Sequence, residues 1–364
     1  MSTASAAYHI VGRTAAGTIG QTVHVTSGAD YHNALGGRTA TSAIVYDDVT
    51  TFLAEGGRDV YITRVADTAT PHEYAIALDA AGTVSPGAAV AVPELPLGLI
   101  GVRLLAHAEA HGKVALLNGR QDDDAQTVAF YTQPLIGRPG SDAAGVFWPW
   151  VTVTDRETGR SHHRPPTGYV AAVRARAHLA AGYWANPDGR ASTAHTLDAL
   201  RFPNTPARNE ELSEQLVSPL VTTRDGVQLH GWWSLSGDRA NFPYLDTRDL
   251  LNNIAAELQD AYETVTAHTW DTVSKNVGQI TGLTKSILAS AAKGGAFNAK
   301  AGPEGTAGDP GYHFTVTLPT PQPPDRNTVT VTVYVRPRTH AVLIGVRTFR
   351  VPIHVSLSER TATP

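Results

Sequence analysis

The sequence contains no cysteine and a single methionine among its 364 residues. Without thiols, the chain cannot form disulfides, thiolate metal sites or a cysteine nucleophile. It also lacks a run of about 18 apolar residues, the length that marks a membrane-spanning helix. Residues 1–12 lack the basic and apolar segments of a signal peptide. We therefore expect no membrane insertion and no export by a signal peptide.

Acidic and basic residues are nearly balanced, with a formal net charge of −4. A protein that binds nucleic acid through its backbone needs a basic surface, so this balance argues against a nucleic-acid partner. Charged residues make up only 17% of the chain and hydrophobic residues 42%, beside 33 glycines and 23 prolines. This composition is typical of a loop-rich α/β or α+β protein, and the length favours two domains.

Lysine is scarce as well, and its distribution is uneven. Four of the five lysines lie in residues 275–300, and no acidic residue occurs between Asp271 and Glu304. Trp270 to Lys300 is predicted to form one long amphipathic helix followed by a glycine-rich loop. At about 100° per residue, its apolar side chains gather on one side of the helix. They are Trp270, Val273, Val277, Ile280, Leu283, Ile287, Leu288 and Ala291.

The lysines of this segment occupy the opposite side. Lys275, Lys285 and Lys293 fall within roughly 80° of arc by the same geometry. This arrangement predicts a helix with one face for a core and the other for an acidic partner. A solvated surface face is the alternative interpretation.

Strands and helices alternate through the first part of the chain. Strands are predicted at 8–11, 22–26, 59–65 and 113–117, and helices at 42–54, 99–110, 125–136 and 167–181. Such alternation favours an α/β layer with a mainly parallel sheet and flanking helices. The stretch with Pro71, Pro86, Pro93 and Pro96 is predicted to be irregular. Residues 145–154 and 226–235 are each predicted to form one strand.

The later part of the chain has a different pattern. A helix starting at Asp246, the lysine-bearing helix, and strands at 312–318 and 328–335 predict a compact α+β module. A last strand-like segment follows at 342–357. The predicted divisions are a short N-terminal arm (1–7), an α/β core domain (8–235), a C-terminal α+β domain (236–340) and an extended C-terminal arm (341–364).

No set of residues meets the requirements of a catalytic or cofactor site. His162 and His163 are adjacent, which points them to opposite sides of a strand, and no carboxylate lies at ligand spacing. Asp122 to Asp124 lack the glycine and distal glutamate of a calcium loop and instead suit a helix N-terminus. Trp232 and Trp233 favour one core position and one layer interface over a stacking platform. We expect no enzyme activity, cofactor or metal.

Three groups of motifs follow one another along the chain. The first comprises Ile10-Val11-Gly12-Arg13, Thr22 to Thr26, Leu35-Gly36-Gly37, Phe52 to Arg58 and Val60 to Val65. The second comprises Trp148-Pro149-Trp150-Val151, Asp155, Gly159, Pro165-Pro166, Gly168 to Ala171 and Arg176. The third comprises Gly226-Val227, Gly231-Trp232, Ser234 to Ser236 and Thr247 to Asn252. This ordered series resembles the contractile tail sheath proteins of bacteriophages and related contractile injection systems, over roughly residues 10–355.

The resemblance implies a core of subtilisin-like shape without protease activity, followed by a C-terminal α+β domain. It implies a structural subunit that polymerises helically, as stacked rings, around an inner tail tube protein and contracts to drive the tube through a target envelope. Baseplate and tail terminator proteins are further expected partners. The expected location is a virion tail or an extracellular injection particle assembled in the bacterial cytoplasm.

The resemblance also implies two contact sites. The lysine-bearing helix lies directly before the loop Gly294-Gly295-Ala296-Phe297. In the family, the helix before the corresponding loop is expected to grip the tube. Lys275, Lys285 and Lys293 are therefore candidate tube contacts. The last strand-like segment suits strand exchange between subunits, because a sheet edge offers unpaired backbone groups. Its candidate residues are Val342, Ile344, Val346, Phe349, Val351, Ile353 and Val355. A strand paired within its own subunit is the alternative.

One feature departs from the family. Sheath proteins usually carry an N-terminal arm of a few tens of residues, whereas only Met1 to Ala7 precede the first strand here. This favours an alternative function, a non-contracting tail or baseplate component with the sheath fold.

Overall fold

The computed structural model describes residues 6–154, 161–266, 273–300, 308–317, 328–338 and 344–352. Of the predicted site residues, Val342, Ile353 and Val355 lie outside these ranges. The chain divides into two compact units, Met1–Asp249 and Leu250–Pro364. The domain boundaries given above stay a prediction.

Eleven strands belong to the described part of the first unit. They are β1 (Tyr8–Arg13), β2 (Thr22–Val25), β3 (Val60–Val65), β4 (Ala89–Ala91), β5 (Val114–Asn118), β6 (Ala144–Trp148), β7 (Val151–Thr154), β8 (Ser161–Arg164), β9 (Ala199–Leu200), β10 (Val217–Thr223) and β11 (Gly226–Leu229). Eight of them form one sheet in the order β11-β10-β6-β5-β4-β1-β3-β2. The six inner strands are parallel, and the edge strands β2 and β11 are antiparallel to their neighbours. The predicted α/β class with a mainly parallel sheet is confirmed.

Helices cover both faces of this sheet, as parallel strands require. They are α1 (Gly28–Leu35), α2 (Ala43–Ala54), α3 (Pro71–Ala80), α4 (Leu97–His111), α5 (Ala125–Thr132), α6 (Pro166–Ala181), α7 (Pro206–Glu214) and the start of α8 (Leu245–Thr266). Residues of α1, α2 and α6 belong to one apolar cluster, and residues of α3, α4, α5 and α7 belong to the other. Tyr8 and Ile10 of β1 contribute to the first cluster and Val11 to the second, because side chains alternate along a strand.

The prediction of an irregular stretch after residue 70 is wrong, since α3 begins at Pro71. Thr70 caps this helix, and its side chain and that of Glu73 bond to each other's backbone N–H groups in a capping box. A proline in the first helical turn loses no hydrogen bond, because the N–H groups there have no partner within the helix. Pro71 therefore starts the helix instead of breaking the chain's regular structure.

Two predicted strands are shorter than expected. Residues 145–154 divide at Pro149 into β6, in the large sheet, and β7, which pairs with β8 and β9 in a small antiparallel sheet. The strand predicted at 226–235 ends at Leu229, and Gly231 follows with a positive φ of 92°. Trp232 is fully buried, while Trp233 is half-buried and stacks on Tyr244 with ring centroids 4.8 Å apart.

The second unit contains the rest of α8, α9 (Val273–Lys293), β12 (Tyr312–Thr317), β13 (Thr328–Val335) and β14 (Ile344–Pro352). The strands form an antiparallel sheet in the order β12-β13-β14. Helix α8 buries one stripe at helical spacing, formed by Ile254, Leu258, Tyr262 and Val265. A hydrogen bond of 2.6 Å between the hydroxyls of Tyr262 and Thr284 connects α8 to α9.

Candidate interaction surface

Helix α9 has the two faces that the sequence predicts. Ile280, Leu288 and Ala291 are buried, and Val277, Leu283 and Ile287 are half-buried. Thr284, on the same side, is also buried and donates its hydroxyl to the carbonyl of Ile280 at 2.7 Å. The predicted apolar face is therefore confirmed for the side chains that the structure describes.

Lys285 and Lys293 are exposed on the other side of α9. Eight residues separate them, which corresponds to roughly 12 Å along the axis and about 80° around it. Among the described residues, neither lysine forms an ion pair, so both ammonium groups are available to a partner. Lys275 lies in the first turn of α9, and its side chain falls outside the described residues.

The surface beside the two lysines consists of short side chains. Gly278, Gly282, Ser286 and Ser290 are all exposed and recur every four residues. A Cβ atom added at Gly278 or Gly282 would meet no atom within 4 Å. The long lysine side chains therefore project beyond a flat helix surface.

The end of α9 is anchored to the sheet of the second unit. Gly295 adopts a positive φ of 86°, which turns the chain after the helix. Phe297 is buried and pairs by backbone with Pro337, and its ring packs at a tilt against that of Tyr312 with centroids 5.7 Å apart. Since Phe297 lies four residues after Lys293, this anchor fixes the position of Lys293 relative to β12 and β13.

The second candidate site falls on β14, which contains Ile344, Val346, Phe349 and Val351. Within this chain β14 pairs antiparallel with β13, with Phe349 opposite Val331 and Val351 opposite Val329. The register shifts at Val346, which has no partner between the Gly345 and Arg347 pairs. Exchange of this strand between subunits stays a prediction, as do the contacts predicted for the lysines.

The other polar motifs have structural roles. Asp124 is the N-cap of α5 and accepts a hydrogen bond of 2.8 Å from the N–H of Thr127, which confirms the predicted helix N-terminus. The described residues contain no cluster of three or more potential metal ligands. Within the same residues, no helix combines the length and apolar content needed to cross a membrane.

Sequence patterns did not predict a set of buried charges in the first unit. Arg174 of α6 and Asp249 of α8 are fully buried and joined by hydrogen bonds of 2.5 to 3.2 Å. Burial alone raises the pKa of Asp249, but Arg174 and then His178 more than offset this, and the pKa is lowered. The only local signal is an arginine that directly follows the apolar run Tyr169 to Val173, and it does not identify the partner 75 residues away.

Two further carboxylates are buried and bonded on the same side of the sheet. Asp48 of α2 accepts hydrogen bonds of 2.7 Å from the Tyr8 hydroxyl, the Thr167 hydroxyl and the N–H of Gly168. Burial, only partly offset by these bonds, raises the pKa of Asp48 to about 6. Glu55 accepts from the N–H groups of His195 and Thr196. The hydrogen bonds of these two carboxylates connect α2 to β1, to α6 and to the segment after α6.

No family model matches this chain, and no curated protein matches it either. Solved structures do match along nearly the whole length. A chain of the anti-feeding prophage baseplate superposes with a TM-score of 0.71 at 16% identity, covering 94% of this chain and 92% of that one. A chain of the PVC sheath complex, an extracellular contractile injection system in its contracted state, gives 0.70 at 15% identity, with coverages of 93% and 91%.

A crystal structure extends this similarity to a third source. The sheath tail protein of Desulfitobacterium hafniense superposes with a TM-score of 0.66 at 10% identity, covering 96% of each chain. The chain therefore has the fold of contractile sheath proteins, which confirms the predicted resemblance at the level of the fold. The solved chains that share this fold come from a baseplate, a sheath complex and a sheath tail protein.

Proposed function

We propose that this chain is the structural subunit of a contractile tail sheath. Copies polymerise helically, as stacked rings, around an inner tail tube protein, and contraction drives the tube through a target envelope. The observation that carries the proposal is a sheath fold matched over more than nine-tenths of the chain, including to a sheath in its contracted state. The subtilisin-like shape of the core and the assignment of residues 236–340 to a C-terminal sheath domain are part of the same proposal.

The particle is a virion tail or an extracellular injection particle assembled in the bacterial cytoplasm. Baseplate and tail terminator proteins bind the ends of the sheath. Contraction requires two arrangements of the subunits that are close in energy, together with connections that persist during the change. Exchange of the β14 strand would supply such a connection, because it satisfies backbone groups at the edge of a neighbour's sheet.

Within this proposal, the lysine face of α9 contacts the tube. Lys285 and Lys293 are exposed, without an ion pair among the described residues, and project from a surface of short side chains. Such a face suits an acidic partner that approaches the helix closely. Its attraction is screened by salt, since the Debye length falls from about 10 Å at 0.1 M to about 3 Å at 1 M.

Charge reversal tests the tube contact. The double substitution Lys285→Glu/Lys293→Glu is expected to weaken co-assembly with the tube protein by about tenfold or more at low salt, because like charges then face each other. Sedimentation of tube and sheath proteins, mixed at several salt concentrations, measures the effect. Arg103→Glu/Arg208→Glu, at exposed positions of α4 and α7, makes the same change in net charge and serves as the control. Equal co-assembly of the two double variants would contradict the contact.

A second candidate function is a non-contracting baseplate component, since the match with a TM-score of 0.71 belongs to a baseplate complex. Electron microscopy of the chain assembled with its tube separates the two functions. A helical lattice seen in an extended and a contracted form supports the sheath. A single ring at one end of the tube supports the baseplate component and rejects the sheath.

A further inference from the structure

A cluster of basic side chains is buried on the face of the large sheet that α3 and α4 cover. His9 lies on β1, Lys113 directly precedes β5, and His107 and His111 lie on α4. Nζ of Lys113 is 3.1 Å from Nδ1 of His9 and donates at 3.4 Å to the carbonyl of Ala81, the residue that follows α3. His9, His107 and Lys113 are buried, and His111 is half-buried. Lys113 thus joins two strands and a helix from inside the core.

The hydrogen bonds fix the proton positions on His9. Burial lowers the pKa of Lys113 to about 7, so acidification leaves it as an ammonium that has only donors; Nδ1 of His9 then accepts, and its Nε2–H donates to the hydroxyl of Thr63 at 2.9 Å. The hydroxyls of Thr63 and Thr22 are hydrogen-bonded to each other at 2.7 Å. A second proton on His9 could bind only at Nδ1, where it would face Lys113. Protonation of His9 therefore breaks this contact and brings two cations together.

His107 is equally unsuited to a positive charge. It is 2% exposed, and neither of its ring nitrogens has a hydrogen-bond partner among the described residues. Its ring lies 4.7 Å from that of His111 between centroids. Burial, followed by Lys113 and His111, lowers the pKa of His107 to about 3. Burial, followed by Lys113 and His107, holds the pKa of His9 well below its ordinary value.

The surrounding elements offer no compensating acid to these two histidines. From β3 the facing group is the uncharged Thr63, and from α4 it is the other histidines. From α3, Asp79 raises the pKa of His111, but burial and Lys113 together have the larger effect and lower it. Among the described residues, no carboxylate acts on His9 or His107. Acid can therefore protonate these side chains only when the layer opens.

We infer that His9, Lys113, His107 and His111 form an acid-sensitive lock, which holds α3 and α4 on the sheet at neutral pH and releases them on acidification. The helices on the other face, α2 and α6, are held by buried carboxylates instead. The two faces are thus expected to respond differently to acid, with the α3–α4 face opening first.

Hydrogen exchange of the full chain at about pH 7.5 and about pH 5 tests this inference, with rates corrected for the intrinsic effect of pH. An unfolded histidine has a pKa of about 6.5, so each histidine that must stay neutral increases opening about 30-fold between these pH values. The expected result is an increase of at least about 30-fold in residues 71–80 and 97–111, with a change at least about tenfold smaller in residues 43–54 and 166–181. Equal changes on the two faces, or none, would overturn the lock.

Substitutions identify the residues responsible. His107→Leu removes a buried ring whose nitrogens are unsatisfied, and it is expected to reduce the acid effect on residues 97–111 by about 30-fold. His72→Gln, at an exposed position of α3, is the matched control and should leave the acid effect unchanged. An undiminished acid effect in the Leu variant rejects the role of His107. If that variant does not fold, the comparison of the two faces in the unmodified protein decides the inference.

Discussion

Two sets of charged residues, one in each unit, are placed in opposite ways. The first unit buries Arg174, Asp249, Asp48 and Lys113 and connects each of them to named partners inside the core. The second unit leaves Lys285 and Lys293 in solvent on α9. A buried charge needs an ionic or hydrogen-bonding partner, because transfer from water into the core costs several kcal/mol per ion. The buried charges of the first unit therefore hold elements of the fold together, whereas the exposed lysines of α9 are available to a partner.

Breaking the buried ion pair should have the largest effect. Arg174→Met leaves the Asp249 carboxylate buried without its main partner, and we expect a loss of about 3–5 kcal/mol in the free energy of unfolding. Urea denaturation of the full chain measures it. The double variant Arg174→Met/Asp249→Leu removes both charges and is expected to recover most of the loss. A single variant as stable as the unmodified protein would show that this pair does not hold α6 and α8 together.

Asp48→Ala should have an intermediate effect. It leaves the Tyr8 hydroxyl and the Gly168 N–H buried without an acceptor, which is expected to cost about 2–3 kcal/mol. Asp48→Asn is the matched variant, because its carbonyl still accepts from Gly168 and its amide can donate to the Tyr8 oxygen. We expect the Asn variant to lose under about 1 kcal/mol at neutral pH.

The pH dependence of this carboxyl group has a definite sign. The folded-state pKa of about 6 exceeds the unfolded value of about 3.9, so the folded state binds more protons between these values. Asp48 alone therefore stabilises the fold as pH falls from about 6 to about 4, and this stabilisation is lost as pH rises through about 6. Asp48→Asn should remove this contribution. If the free energy of unfolding depends on pH identically in Asp48→Asn and in the unmodified protein, the raised pKa of Asp48 is contradicted.

The smallest expected effect lies on the exposed face of α9. Gly282→Ala should stabilise the second unit by about 0.5–1 kcal/mol, because alanine is a better helix former and its Cβ meets no atom within 4 Å. Thermal unfolding measures this change. Gly295→Ala is the control, since a φ of 86° disfavours any side chain, and it should destabilise by about 1 kcal/mol. Destabilisation by Gly282→Ala would show that this face is not open in the folded chain.

Local signals account for what the sequence by itself determined. Segments with strand-like and helix-like spacing of apolar residues alternate along the chain, and this alternation predicted the parallel sheet. The spacing of Ile280, Leu288 and Ala291 predicted which side of α9 is buried. These patterns depend on residues within a few helical turns of each other, so they can be read without the fold. The same holds for Asp124, whose capping role depends on the next three residues. At Pro71 the local signal was present but was misread as a break.

Only the tertiary structure decided which charges are buried and with what they pair. Arg174 and Asp249 are 75 residues apart, and Lys113 lies 104 residues from His9. The local pattern predicted a strand from Lys113 but not that its side chain is buried beside His9. The strand order brings His9 and Lys113 to one face of the sheet, and burial there decides their protonation. The sequence determined the elements, whereas the partners of its buried charges followed from long-range packing.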